Sequence, residues 1–160
     1  MSLYRPALPI ATSALGLLGI GSGIYNFIAP IEGAKGFGLQ STSTSSTASA
    51  HAKAIEGALI RVHGIRNIGV GLSTVSLVLF WQFSPLCQSS PLAALAVRRC
   101  LGITLTLGTI VGLGDAWILK QFSDTDGVES EAKELASAKG TAHAIMAIVI
   151  SGLGLTYLLV

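Results

Sequence analysis

The sequence predicts an all-α membrane protein, a bundle of four transmembrane helices that run up and down with both termini on one side. Of the 160 residues, 51% are hydrophobic and only 11% are charged, whereas about a quarter of the residues in a soluble domain are charged. A chain this short cannot bury so much apolar surface in one water-facing core. Its apolar residues are also grouped into four stretches, each close to or longer than the roughly 20 residues that cross a bilayer.

The first predicted span covers residues 7–29 and ends at Pro30, because proline interrupts a helix. A secretory signal is the alternative, since Arg5 precedes the apolar stretch. The length of the stretch favours a retained span over the shorter apolar core of a signal. Small residues within it, such as Gly19 and Gly23, favour close packing against another helix.

The other three spans are predicted at 55–83, 93–120 and 140–159. One long polar segment lies between the first and second spans and another between the third and fourth. Residues 31–51 contain a serine and threonine run at 41–47, and this low-complexity segment is expected to be a mobile loop. Residues 121–139 are rich in acidic side chains and are expected to form a second loop, part of it a short surface helix.

Four crossings place both polar segments on one face of the membrane, called side B here. The termini and the short segment around Pro85 then lie on the opposite face, side A. The basic residues slightly favour side B as the cytoplasmic face, because lysine and arginine, far more than acidic residues, set the orientation. The orientation itself stays open.

Charge and cysteine usage exclude several classes of protein. The formal net charge is only +2 and the basic residues are scattered, so the chain is not expected to bind nucleic acid. Cys87 and Cys100 are far apart and form no CxxC motif. A disulfide framework, a zinc site and any other metal site are therefore not expected, and no residue pattern calls for a cofactor.

The second span carries an unusual polar run, from Arg61 to Asn67. At 100° per residue, Glu56, His63 and Asn67 fall within about 40° of one another on the helix surface, and Arg66 lies about 60° from His63. Arg61 lies on a nearly opposite flank. Polar side chains are costly in lipid and usually mark a functional site, so this face is expected to look into the bundle.

The other spans bring further polar residues to the same half of the bilayer. Tyr25 and Asn26 end the first span, Asp115 and Trp117 lie near the end of the third, and His143 lies near the start of the fourth. The up-and-down topology places all of these positions at side B. Side A has no comparable set.

Each of these residues also has a purely structural interpretation. Asp115 could simply neutralise Arg66 in an ion pair. His143 could be an ordinary histidine at the membrane interface, and Tyr25 and Trp117 could anchor their helices there. Arg61 could extend its charge to the lipid headgroups, and Glu56 could lie at the water boundary. Asn67 could form a hydrogen bond between helices. Stability alone does not require so many of them in one half of a chain with so few charges.

The combination suits the opening of an electrophile such as an epoxide by water or by an internal hydroxyl. An aspartate with a histidine supplies an acid and a base, and an arginine with an asparagine supplies donors for a developing oxyanion. The expected catalytic residues are Asp115, His143, Arg66 and Asn67, and the expected substrate-binding residues are Tyr25, Asn26, Glu56, Arg61, His63 and Trp117. The substrate would be lipophilic and would arrive through the bilayer.

Three motifs resemble a family of small four-helix membrane proteins of unknown function, common in fungi and some bacteria. They are Arg61–Asn67 followed by Gly69 and Gly71, Gly114-Asp115-Ala116, and His143 early in the last span. The resemblance extends from about Ile24 to Leu158. In size and in these motifs the chain is also similar to the epoxide hydrolases or cyclases of aurovertin- and citreoviridin-type polyketide pathways.

That second likeness implies the opening of a polyene polyepoxide to oxygen heterocycles in fungal secondary metabolism, with roles for Arg66, Asn67, Asp115 and His143. It implies a multi-pass protein of the endoplasmic reticulum, with membrane lipid as a partner, and leaves a homo-oligomer open. Two other functions remain. The chain could be a non-catalytic membrane protein that binds a lipid or a partner enzyme. A proton-coupled transporter ranks last, because polar residues do not continue to side A.

Overall fold

The computed structural model describes residues 4–39 and 50–159, and the elements in this part of the chain are helices. They are α1 (Tyr4–Ile28), α2 (Pro30–Phe37), α3 (Ala50–Phe83), α4 (Pro85–Ser89), α5 (Pro91–Asp124) and α6 (Ser130–Leu159). Four of these, α1, α3, α5 and α6, are long and apolar enough to cross a membrane, which confirms the predicted fold class. The predicted mobile run at 41–47 lies outside the described residues.

The four long helices present apolar side chains outward. Leu17, Ile110 and Ile148 are among many large hydrophobic residues that are mostly exposed, as expected where acyl chains replace water. Helix α5 has 34 residues and is therefore about 50 Å long, against about 30 Å for the hydrocarbon core of a bilayer. The longest helices must therefore extend beyond the hydrocarbon or tilt within it.

Helix α2 occupies the beginning of the first predicted loop. Helix α1 ends at Ile28, so Pro30 stops the first span as predicted, but Pro30 also starts α2 at its first position. Gly38 closes α2 with a φ of 118°, a left-handed conformation that glycine adopts without strain. Proline at the start and glycine just past the end are ordinary helix signals, and the expectation of a loop was wrong over these residues.

The second predicted loop is mostly helical as well. Helix α5 continues to Asp124 and α6 begins at Ser130, so the connection is much shorter than the predicted segment 121–139. Ala132 and Ala136 are fully buried and lie four residues apart, one turn of helix. They form a small apolar stripe among charged residues, and the overall polarity of the segment concealed it.

Helices α1 and α3 form an antiparallel pair packed through glycines. Gly16 of α1 lies against Gly71 of α3, and Gly23 of α1 lies against Gly64 of α3. A step of seven residues along α1 therefore matches a step of seven residues back along α3, as expected for antiparallel helices. A Cβ atom added at Gly64 would lie 2.8 Å from the carbonyl oxygen of Gly23. The two backbones are therefore too close for a side chain, which is the packing that small residues permit in membranes.

Helices α5 and α6 form a second antiparallel pair in the same way. A Cβ atom added at Gly102 would lie 2.9 Å from the carbonyl oxygen of Gly154, and one added at Gly112 would lie 3.0 Å from the Ala147 methyl group. Each pair thus has its register fixed by contacts between small residues. The protein is built from two tightly packed helix pairs.

The two pairs meet at side A in an apolar core. Its buried members are Val78, Leu101, Leu105 and Tyr157, with Trp81 packed edge-on against the Tyr157 ring. The Tyr157 hydroxyl lies 3.0 Å from Oγ1 of Thr12, which itself donates to the Leu8 carbonyl, so Tyr157 is the donor. This hydrogen bond joins α1 to α6 and closes the side A end of the bundle.

Replacing Gly64 by alanine should destabilise the protein, whereas replacing Gly69 should not. The added methyl group at Gly64 meets backbone of α1, and overpacking of this kind costs about 1–3 kcal/mol. At Gly69 a Cβ atom meets nothing within 4 Å, and alanine is the better helix former by about 1 kcal/mol. Thermal unfolding of both variants in detergent tests this, and equal unfolding midpoints would contradict the packing described.

Candidate active site

The Arg66 guanidinium and the Asp115 carboxylate form an ion pair between the two helix pairs. Nη2 of Arg66 lies 2.8 Å from Oδ2 of Asp115, and Asp115 is buried, with 8% of its surface exposed. Arg66 belongs to α3 and Asp115 to α5, 49 residues apart in sequence. Arginine stays charged under all ordinary conditions. The pair therefore holds a carboxylate inside the bundle.

Arg66 also fixes the imidazole of His63. The same Nη2 atom lies 2.6 Å from Nδ1 of His63, and a guanidinium can only donate. Nδ1 therefore accepts, and the ring proton of a neutral His63 must sit on Nε2. Nε2 lies 3.1 Å from Nδ2 of Asn67. Because Nε2–H and an amide NH2 group both donate, the Asn67 amide must be turned so that its oxygen takes this position and accepts the proton. One chain of hydrogen bonds thus joins Asp115, Arg66, His63 and Asn67.

A buried donor of this chain remains unused. The Nε atom of Arg66 is buried and has no hydrogen-bond partner among the described residues. Buried donors are nearly always satisfied, and an exception beside a cavity identifies a position where a bound molecule could accept. The guanidinium therefore has capacity beyond the ion pair it makes.

A cavity of about 390 Å³, called the inner cavity here, lies between α1, α3, α5 and α6. One end is polar, with His63, Arg66, Asn67, Asp115 and His143 in its wall. The rest is lined mainly by apolar side chains and glycines, among them Leu15, Val70, Leu105 and Ile150. The inner cavity therefore offers a polar end and a longer apolar arm that extends towards side A.

His143 faces this cavity at about the level of Asp115. Gly112 of α5 packs against Ala147 of α6, and Ala116 packs against Gly140. On α6, His143 lies between Gly140 and Ala147. On α5, Asp115 lies between Gly112 and Ala116, so the two side chains are at about the same level. The structure thus brings together all four expected catalytic residues, although their roles stay predictions.

A second cavity, called the outer cavity, adjoins the first towards side B. Its volume is about 430 Å³, and α1, α2, α3 and α6 line it. His63, Asn67 and His143 contribute to both cavities. Phe37, the last residue of α2, lies where the two meet. Its ring centroid is 4.6 Å from that of His63 and 5.1 Å from that of His143.

Tyr25 and Asn26 line the outer cavity and not the inner one. Asn26 is buried at the corner between α1 and α2, where its side-chain oxygen would lie 2.5 Å from a Cβ atom added at Gly33. Tyr25 is half exposed. The corner turns both residues towards α2 and away from Asp115, and their role in substrate binding stays a prediction.

Three expected substrate-binding residues line neither cavity: Glu56, Arg61 and Trp117. Trp117 follows Asp115 by two residues, which is a rotation of about 200° around the helix. Its side chain therefore points away from the cavity, and Trp117 is 62% exposed. Arg61 is exposed for the same reason, two residues before His63. Glu56 shares a helix face with His63 but lies two turns closer to the helix start. The structure brings these three residues to neither cavity, and their role in substrate binding stays a prediction.

Sequence reasoning missed Phe37 and Ser22. Ser22 lines both cavities but has no distinguishing sequence signal within an apolar span. Phe37 fell in a predicted loop, and the proline and glycine that bracket α2 were the available signal. Among the described residues, no three of the His, Cys, Asp and Glu side chains are grouped so that they could hold a metal ion.

The chain belongs to a family described as a domain of unknown function, DUF4267, which matches residues 16–157. The matched region includes the ion pair, both cavity-lining histidines and Asn67. No curated protein and no solved structure matches the chain. Membership is consistent with a small multi-pass membrane protein and assigns no activity.

The hydrogen bonds of His63 predict its tautomer. Because Arg66 donates to Nδ1, a neutral ring protonated on Nε2 is expected at neutral pH. Nitrogen NMR of histidine-labelled protein in bilayers measures this directly, with a His63→Gln variant to assign the signal. A doubly protonated His63 ring at neutral pH would contradict the geometry.

Proposed function

We propose that this protein is a membrane-embedded epoxide hydrolase or cyclase that opens epoxides of a lipophilic polyketide. The observation that carries the proposal is the position of Asp115 and His143, at one level in the wall of a cavity whose longer arm is mostly apolar. A carboxylate and an imidazole placed in this way can act as base and acid on one bound molecule. The cavity volume falls within the range of about 300–1,000 Å³ typical of small-molecule sites.

In the proposed reaction Asp115 acts as the general base. Arg66 holds its Oδ2 atom, and Oδ1 accepts a proton from water, or from a hydroxyl of the substrate, as that oxygen attacks an epoxide carbon. The carbon–oxygen bond of the epoxide breaks, and protonated His143 donates its proton to the departing oxygen. A proton then passes from Asp115 back to His143, and both residues return to their starting states.

Arg66 and Asn67 support this step from α3. The free Nε donor of Arg66 is suited to stabilise negative charge on the epoxide oxygen. Asn67 holds His63, and His63 in turn holds the guanidinium. These side chains would therefore keep the donor in one place before the substrate binds, which is the condition for electrostatic catalysis.

The apolar arm supports a lipophilic substrate. Leu18 of α1 and Met146 of α6 line the inner cavity and are 66% and 47% exposed. They would therefore contact both a bound chain and the surrounding lipid, which provides a lateral path from the bilayer. A fungal polyene polyepoxide is the substrate that the sequence resemblance implies, and the endoplasmic reticulum is the membrane where we expect the protein.

A non-catalytic function is the second candidate. Asp115 already has a cationic partner, and a carboxylate paired in this way can serve structure alone. The inner cavity would then hold a lipid chain, or the bundle would stabilise a partner enzyme. This candidate predicts that substitution of Asp115 alters stability or association and no reaction product.

Replacing Asp115 by asparagine should abolish epoxide opening, with a loss of about 10²–10⁴-fold. The assay is turnover of a lipophilic epoxide by the protein in detergent or liposomes. Asp124→Asn is the matched control, since Asp124 lies on the same helix in an exposed pair with Lys120 and should keep full activity.

The folding of each variant is checked by its unfolding midpoint. Because Asp115→Asn leaves Arg66 without its counter-charge, a double variant with Arg66→Met restores neutrality and should also lack activity. Turnover retained by folded Asp115→Asn protein would remove Asp115 from the mechanism.

A further inference from the structure

The Phe37 ring occupies the junction of the two cavities. It contacts the imidazole of His63 on α3 and that of His143 on α6, the two rings that both cavities share. Ser22 and Asn67 line both cavities as well, so a molecule passing from the outer cavity towards Asp115 would pass this junction. Phe37 is the side chain of α2 that fills it.

The two cavities differ in the chemistry of their walls. The outer one is lined by the polar side chains of Ser22, Tyr25 and Asn26, together with glycines that expose backbone. The inner one is mostly apolar beyond its polar end. Water is therefore favoured in the outer cavity and a hydrocarbon chain in the inner one.

Contacts with α1 and α6 fix the position of helix α2, and with it the backbone of Phe37. Gly38, directly after Phe37, packs against α6, where an added Cβ atom would lie 2.8 Å from Cβ of Lys139. In the middle of α2, Gly33 packs against Asn26 of α1. Since α2 is in close contact both at its middle and just past its last residue, rotation of the Phe37 side chain is the least costly movement that would widen the junction.

We propose that the outer cavity admits water from side B to the polar end of the inner cavity, and that Phe37 gates this passage. Lipid cannot supply that water, because the hydrocarbon core is dry. This inference rests on the proposed function in one respect, which is that the proposed reaction uses water. The passage itself is a property of the fold and can be measured without any substrate.

Cysteine accessibility tests the passage. In a Cys87→Ala, Cys100→Ala background, single cysteines are placed at Gly36 in the outer cavity and at Gly108 in the inner one, two positions where an added Cβ atom meets nothing within 4 Å. Ile110→Cys is the matched control, since Ile110 lies on the same helix as Gly108 and is 67% exposed towards lipid. The probe is a permanently charged methanethiosulfonate present on both faces of proteoliposomes.

The expected result is rapid labelling of Gly36→Cys, slow labelling of Gly108→Cys and none of Ile110→Cys. Adding Phe37→Ala should speed the labelling of Gly108→Cys by on the order of tenfold, as removal of a gate does, and leave the other two rates unchanged. The same rate for Gly108→Cys with and without Phe37→Ala, or no labelling of it in either protein, would overturn the proposal. Labelling as expected without epoxide turnover would instead refute the proposed function alone.

Discussion

The ion pair between Arg66 and Asp115 is the interaction on which the side B half of the molecule depends. Two helix pairs, each packed through its own glycines, would otherwise be held together mainly by the apolar core at side A. Separating these charges in a low-dielectric interior leaves each of them unpaired, which is far more costly than in water. The pair therefore joins α3 to α5 while the space beside it stays open, and that space is the inner cavity.

Small residues and charged residues have separate roles in this arrangement. The glycine contacts fix the register within each pair, and this register places His143 level with Asp115. The ion pair then fixes how the two pairs meet. Because the side A end is closed by Tyr157 and its apolar neighbours, the polar residues are confined to one half of the bilayer, next to α2 and the outer cavity.

Much of this fold could be predicted from the sequence. Hydropathy and length predicted the four spans, and the topology alone placed Arg66, Asp115 and His143 in the same half of the membrane. Helical periodicity correctly put His63 and Asn67 on one face. Topology gives the depth of a residue and says nothing of its direction. It therefore grouped Trp117 with Asp115, although the two residues lie on nearly opposite sides of α5.

The remaining errors have a similar physical origin. Composition suggested loops where Ala132 and Ala136 form a buried stripe, because a few small residues are enough to pack a helix but barely change the average polarity. Helix α2 was missed for its shortness, and with it Phe37, whose importance comes from contacts with α3 and α6 that no local pattern encodes. The hydrogen bond from Tyr157 to Thr12 links residues 145 positions apart and is likewise invisible to periodicity.

The most direct measurement of the central claim is a double-mutant cycle on the ion pair, read as the free energy of unfolding in detergent. Arg66→Met should destabilise the protein by about 3–5 kcal/mol, because it leaves the buried Asp115 carboxylate unpaired. Asp115→Asn should cost less, because the Arg66 side chain is 37% exposed. The double variant should be much less destabilised than the two single effects together, with a coupling energy of about 1–3 kcal/mol. Additive single effects would show that the two side chains do not interact, and the cavity would lose the contact that defines its polar end.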